Sequence, residues 1–146
     1  MKKFILCLYN ESEKQHISYE VFDSLDTAKT RLKELFEVHS NNGTFGYING
    51  SGDYFSISEN EQKTICSIEV VETKCPFAVG LYIDETFSID DFLKTEDDAE
   101  DTMDDLANIN FTPESIDEME KWGQFDVIKG RFADSEDMSA YFVIRL

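Results

Sequence analysis

The sequence predicts an α+β domain on a mostly antiparallel sheet, and three features indicate this class. Strand-like and helix-like stretches occur in separate runs, the middle of the chain has an apolar period of two, and the helix-like stretches have one apolar side. The 146 residues, 41% of them apolar, suffice for one core, and no linker marks a second domain. We therefore predict a single α+β domain over residues 1–146. Its parts are an N-terminal hairpin, a central meander and a C-terminal hairpin, with one N-terminal helix and a cluster of short acidic helices.

The N-terminal part of the chain predicts a hairpin followed by a helix. Residues 2–9 and His16–Phe22 are strand-like runs separated by a polar loop, which is typical of an antiparallel hairpin. Ser24 is placed to cap a helix over Leu25–His39, whose apolar residues share one arc of a helical wheel. The Asn-Asn-Gly sequence at 41–43 then ends this helix.

Beyond this helix the apolar period changes to two, which indicates antiparallel strands. The predicted strands are Phe45–Ile48, 54–58, 64–72 and Phe77–Ile83, followed near the end of the chain by 125–133 and 140–146. The Gly-rich stretch 49–52 predicts the turn between the first two of these strands. No internal repeat is evident in the residue pattern.

Residues 84–120 hold fifteen carboxylates and one base, Lys94, and supply most of the formal net charge of −18. Capping patterns predict three short helices here. Ser88 is the predicted cap of a helix over 89–94, and Thr95 is the predicted cap of the next helix. Thr112 is the predicted cap of a helix from Pro113 to about Gly123.

The densest acidic stretch, residues 96–105, has seven acids in ten residues. On a helical wheel these acids fall on one side, and Ala99, Met103, Leu106 and Ala107 fall on the other. An unfolded acidic tail has no reason to segregate its sides. We therefore expect an ordered helix with one buried stripe and a broad anionic face.

The composition excludes several function classes. A net charge of −18 opposes direct binding to DNA, RNA or anionic lipid, because each requires local positive charge. The two histidines have no nucleophile partner in a known pattern, and the three cysteines lack the close spacing of a zinc knuckle. We expect no catalytic residue, no cofactor and no metal. The apolar run 4–8 is too short for a signal peptide and no run could span a membrane, so a cytoplasmic protein with reduced thiols is expected.

The anionic face is the surface with the clearest functional signal. Like charges at i, i+4 destabilise a helix by about 0.2–0.5 kcal/mol per pair, whereas a face needed only for solubility could mix both signs. Seven carboxylates over ten helical residues give one charge per roughly 2 Å of axis, against one per about 1.7 Å of duplex DNA. In charge strategy alone this resembles the DNA-mimic proteins with which phages and mobile elements block restriction enzymes and CRISPR nucleases.

We therefore predict a non-enzymatic, acidic, protein-binding inhibitor, with an anti-defence protein (anti-CRISPR or anti-restriction type) as its sharpest form. The partner would be a basic protein such as a nuclease, bound without direct contact to nucleic acid or membrane. The predicted partner-binding residues are Asp90, Asp91, Glu96, Asp97, Asp98, Glu100, Asp101, Asp104, Asp105, Glu114, Asp117 and Glu118.

Three alternatives remain open at the sequence level. An immunity protein against a basic nuclease toxin would use the same acids to block an active-site mouth. A small-ligand or enzyme domain would instead build a pocket from the Phe/Tyr-rich meander, which contains Phe45, Tyr47, Tyr54 and Phe55. The acidic face could also be a solvated surface with no partner.

Overall fold

The computed structural model describes residues 2–10, 16–40, 45–59, 62–112, 130–133 and 139–146, which form nine strands and two helices. The α+β class and the antiparallel sheets predicted from the sequence are confirmed. The chain divides into two compact units, Met1–Glu72 and Thr73–Leu146. Whether these units form the single domain predicted for residues 1–146 stays a prediction.

The first unit is an antiparallel five-stranded sheet with one helix on it. Its elements are β1 (Lys2–Asn10), β2 (His16–Phe22), α1 (Leu25–His39), β3 (Phe45–Ile48), β4 (Tyr54–Glu59) and β5 (Gln62–Glu72). The strand order is β2-β1-β5-β4-β3, so the last strand of the unit pairs with the first. All six elements were predicted from the sequence, with bounds that differ by at most two residues.

Helix α1 begins and packs as the sequence predicts. The Ser24 hydroxyl accepts a hydrogen bond from the Thr27 backbone N–H at 3.1 Å, which satisfies one free donor of the first turn. The buried stripe of α1 is Ala28, Leu32 and Leu35, and it packs in one core with apolar side chains of β1, β4 and β5. The helix is thereby fixed on one face of the sheet.

The second unit has four strands and one helix. Its elements are β6 (Phe77–Ile83), β7 (Thr86–Leu93), α2 (Glu96–Asn110), β8 (Gly130–Ala133) and β9 (Ser139–Arg145). The strand order is β7-β6-β9-β8, again antiparallel throughout and again with the last strand beside the first. The buried residues Ala99, Met103 and Ala107 of α2 pack in one core with Val79 and Val143 of the sheet.

The predicted cluster of short acidic helices is wrong, because the described residues contain one acidic helix, α2. Residues 89–94, predicted as a helix behind Ser88, belong to strand β7. Strand β7 leaves β6 through a two-residue turn and then contains a β-bulge, where Val79 pairs with Asp91 and Gly80 pairs with Ile89. The bulge breaks the period of two, which is why a capping pattern outweighed it. The helix predicted from Pro113 to Gly123 lies outside the described residues.

The two units repeat one topology that was not evident in the residue pattern. Each begins with a hairpin and a helix and ends with a strand that pairs with the first strand of the hairpin; between the helix and that last strand, the first unit has β3 and β4 and the second has β8. In each, the helix has 15 residues, starts directly after a hydroxyl cap (Ser24 or Thr95) and buries an alanine four residues beyond that cap. The register agrees as well, since Leu6 pairs with Glu20 in the first unit and Val79 with Asp91 in the second. Residue n of α1 therefore corresponds to residue n + 71 of α2.

Candidate partner-binding surface

The predicted anionic face lies on helix α2, which is ordered and bears all seven of the carboxylates predicted there. Their side chains divide into two rows. Four residues are exposed to solvent, and we call them the acidic ridge: Asp97, Asp98, Asp101 and Asp105. The other three, Glu96, Glu100 and Asp104, are half-buried along one flank of the helix.

Helix α2 forms despite its charge because its ends and its buried stripe stabilise it. The Asp98 backbone N–H donates to the Thr95 hydroxyl at 3.1 Å, which caps the first turn. The carboxylates of the first turn, among them Asp97 and Asp98, lie at the positive end of the helix dipole and are favourable there. Asp101 and Asp105 lie beyond that turn and gain nothing comparable. The second half of the ridge therefore has no structural explanation within the helix.

The half-buried flank is partly compensated. The Arg145 guanidinium donates from Nη2 to Oε2 of Glu96 at 3.2 Å. The same guanidinium carbon lies 5.8 Å from the centroid of the Phe77 ring, which fixes the arginine against the sheet. Glu96 is thus tied to the fold, and it is a weaker candidate for partner contact than the ridge.

The spacing of the ridge changes the comparison with nucleic acid. The ridge spans the nine helical residues 97–105, about 13.5 Å of axis, so the four exposed carboxylates give one charge per roughly 3.4 Å. Each strand of B-DNA has one phosphate per about 3.4 Å of axis. The exposed charge therefore matches a single phosphate strand, and only by including the half-buried flank does the density approach that of the duplex.

Asp90 and Asp91 lie on strand β7 and are both exposed. Asp91 pairs with Val79, which faces α2 in the core, so Asp91 occupies the helix side of the sheet. Asp90 is the additional residue of the bulge. Its carboxylate lies close enough to Tyr141 to contribute, after burial, to raising the pKa of that phenol. The Tyr141 hydroxyl also accepts a hydrogen bond from Nδ2 of Asn110 at 3.0 Å.

The fold therefore places Asp90 and Asp91 in the same unit as the ridge, on a strand that α2 contacts. The prediction from the sequence that Asp90 and Asp91 lie on a separate short helix is wrong. The remaining predicted residues, Glu114, Asp117 and Glu118, lie outside the described residues.

Helix α1 provides an internal reference for the charge of α2. At the equivalent place in its unit, it contains three acids and three bases: Asp26, Glu34 and Glu37, and Lys29, Arg31 and Lys33. Arg31 links α1 to β2, because its Nε donates to Oε2 of Glu20 at 2.9 Å. Within the helix, its Nη1 donates to Oε2 of Glu34 at 3.4 Å. The same module thus forms and stays solvated with a neutral helix.

The other candidate chemistries have less support among the described residues. The thiols of Cys7 and Cys66 are buried, and burial is the main cause that raises the pKa of each. In the described parts of the chain, no group of three or more His, Cys, Asp or Glu side chains is placed to hold a metal ion.

The aromatic residues of the meander do not act as one surface. Phe55 is fully buried in the core of the first unit, whereas 59% of Tyr47 is exposed and Tyr54 is half-buried. Phe55 packs edge-on to Phe36, with ring centroids 5.5 Å apart. Phe55 is therefore a core residue, and Tyr47 is the described aromatic most open to contact from outside.

Neither described helix is long and apolar enough to cross a lipid bilayer. Comparison of the chain with protein-family models, curated proteins and solved structures gave no match.

Proposed function

We propose that this protein is a non-enzymatic inhibitor that binds a basic site on a protein partner through the acidic ridge of α2. The observation that supports this most is the contrast between the two helices. Both have the same length, cap and position in the repeated module, but α1 has balanced charges and α2 has seven carboxylates with no base. Folding and solvation of the module do not require that excess, so a negative field at this helix has another use.

The excess charge has an energetic cost within the helix. Asp97, Asp101 and Asp105 follow one another at i, i+4, and each like-charge pair destabilises a helix by about 0.2–0.5 kcal/mol. The cost is removed when Lys or Arg side chains of a partner approach the ridge. The same field accelerates encounter with a cationic surface, which is what a competitor of nucleic acid needs.

The sharpest form of the proposal is a nucleic-acid mimic of a phage or mobile element that acts on a defence nuclease in the cytoplasm. The ridge would occupy a channel lined with Lys and Arg and exclude the phosphate backbone from it. The density of one charge per roughly 3.4 Å of helix axis, close to that of one phosphate strand, supports a channel for single-stranded nucleic acid or for one strand of a duplex.

An immunity protein against a basic nuclease toxin is the second candidate, supported by the same ridge. The two differ in the source of the target. Rescue of cells that express a toxin encoded beside this protein would favour immunity, whereas inhibition of a restriction or CRISPR nuclease would favour anti-defence.

The test is capture of partners from host extract on the tagged protein at low salt, with elution by increasing salt and by competing DNA or RNA. We expect a basic nucleic-acid-binding protein to be retained, released at moderate salt and displaced by the polymer. The triple variant Asp97→Asn, Asp101→Asn and Asp105→Asn should lose most of this binding, because it neutralises most of the ridge.

A matched control removes the same number of charges from the reference helix. Asp26→Asn, Glu34→Gln and Glu37→Gln in α1 should leave capture unchanged, since α1 is not the proposed binding element. Equal loss of capture in both triple variants would mean that net charge alone matters. Undiminished capture by the α2 variant would contradict the proposal.

A further inference from the structure

Within the first unit, two carboxylates hold one guanidinium between strand and helix. Glu20 of β2 accepts from Arg31 Nε at 3.3 Å and 2.9 Å through its two oxygens, and Glu34 of α1 accepts from Arg31 Nη1 at 3.4 Å. The Arg31–Glu20 pair links helix α1 to the edge strand β2, whereas the Arg31–Glu34 pair lies within α1. They form a clamp made of one strand carboxylate and one helix carboxylate.

The second unit has both carboxylates of this clamp but not its cation. Asp91 pairs with Val79 as Glu20 pairs with Leu6, and it precedes its helix cap by four residues, as Glu20 does. Asp105 corresponds to Glu34, at the tenth residue beyond the cap.

The position of Arg31 is taken in α2 by Thr102, which is uncharged. Within the described parts of the chain, no Lys, Arg or His forms an ion pair with Asp91 or Asp105. Both carboxylates are exposed, and α2 contacts β7 as α1 contacts β2.

We propose that Asp91 and Asp105, on either side of Thr102, form a binding site for an arginine side chain of the protein partner. The inference rests on the proposed function and identifies where on that surface one specific cation binds. The occupant is defined by the equivalent site in the first unit, where an arginine of the chain itself fills the same arrangement. A guanidinium suits it better than an ammonium, because its fork of donors can reach two carboxylates in one plane.

The side chains fit a cation that comes from outside. Thr102 is much shorter than arginine, which leaves room above the helix for the end of a partner's side chain. The exposed neighbours Asp90 and Asp98 add to the negative potential at this place.

The test compares two synthetic peptides of equal length and charge, one rich in arginine and one rich in lysine, by fluorescence anisotropy at low salt. We expect the protein to bind the arginine peptide about fivefold more tightly. Thr102→Arg restores the internal ion pairs and fills the site, so this preference should vanish in that variant. Asp91→Asn should reduce the preference as well.

Two further variants distinguish the effect of filling the site from the effects of changed net charge and of added side-chain volume. Asp97→Asn changes the net charge by the same amount as Thr102→Arg but lies outside the site, so it should weaken both peptides alike and keep the preference for arginine. Thr102→Met adds bulk without charge and should reduce the preference less than Thr102→Arg. Thermal unfolding of each variant confirms that it is folded.

The outcomes distinguish the site from the proposed function. Absence of an arginine preference in the unmodified protein, or identical behaviour of Thr102→Arg and Asp97→Asn, would overturn the arginine site. In that case the inhibitor proposal still stands if the triple ridge variant weakens both peptides and loses its captured partner. If that variant binds and captures normally, the inhibitor proposal fails too.

Discussion

Gly80 shows how closely the core of the second unit is packed. A β-carbon at this position would lie 2.9 Å from Cζ of Phe142 and 2.9 Å from Cδ1 of Ile144, both side chains that are fully buried. The residue stands in β6 opposite the bulge of β7. The absence of a side chain therefore lets the neighbouring strand β9 place its large residues against the backbone.

We predict that Gly80→Ala lowers the free energy of unfolding by about 1–3 kcal/mol, because the added methyl overpacks a filled core. Urea denaturation followed by circular dichroism measures the change. Gly50→Ala is the control, since a β-carbon there meets no atom within 4 Å. An equal effect of both substitutions would contradict overpacking as the cause of the loss.

The buried thiols make the stability of the protein depend on pH. Burial raises the pKa of the Cys7 thiol above its ordinary range, with Cys66 as a smaller cause, and it also raises the pKa of Cys66. The unfolded chain therefore releases these protons at lower pH than the folded chain does. Above the ordinary thiol pKa of about 8.5, the free energy of unfolding should fall by up to about 1.4 kcal/mol per pH unit for each thiol.

Denaturation between about pH 7.5 and 9.5, below the ordinary pKa of tyrosine, isolates this effect. Cys7→Ala and Cys66→Ala should each make the fall of stability with pH less steep. Cys75→Ala, which removes a thiol that is not fully buried, controls for the loss of a cysteine. A pH dependence that is the same in all three variants would contradict the prediction.

The sequence predicts those helices and strands that local signals determine. Helix α1 has a hydroxyl cap and one apolar stripe, its sequence is followed by Asn-Asn-Gly, and its predicted bounds agree with the structure. Strand β7 was missed because its identity depends on the hairpin with β6 and on a bulge that disrupts its alternation. The pairings of β1 with β5 and of β6 with β9 join residues far apart in sequence, and no local pattern predicts them.

The candidate site was predictable only in part. The ridge on α2 follows from the segregation of its acids on a helical wheel. The proximity of Asp91 to α2 could not be predicted in this way, because it depends on assigning residues 86–93 to strand β7. A repeated spacing in the sequence could have revealed this proximity. Glu20 and Asp91 each precede a helix cap by four residues, and an alanine follows each cap by four residues.

We predict that Asp101→Lys stabilises the protein by about 1–2 kcal/mol, because it converts two repulsive i, i+4 pairs into attractive ones. Thr30→Lys at the equivalent position of α1 should stabilise less, since it adds attraction to Asp26 and Glu34 without removing any repulsion. Chemical denaturation measures both changes. Loss of stability in Asp101→Lys would contradict the prediction that repulsion among the ridge carboxylates destabilises the helix.

A net charge of −18 on 146 residues makes the stability of the protein dependent on salt. Repulsion among like charges opposes the compact state, and ions shorten its range to a Debye length of about 8 Å at physiological ionic strength. The surplus is uneven, because the repeated topology occurs once with a neutral helix and once with an acidic one.

We predict that the midpoint of thermal unfolding rises by a few degrees, roughly 2–6 °C, between very low and physiological NaCl. Differential scanning calorimetry measures the shift. The triple Asn variant of the ridge should show a smaller rise, since it has less repulsion to screen. A midpoint that is independent of NaCl would mean that the charges are already compensated within the fold.

Strand β7 forms one edge of its sheet, and that edge has a consequence for self-association. An edge strand can template pairing with another chain, as in amyloid growth. The bulge kinks the edge, and the carboxylates of Asp90 and Asp91 repel those of a second copy. The Asp91 carboxylate that is proposed to bind a partner's arginine therefore also protects this edge strand from pairing with a second copy of the chain.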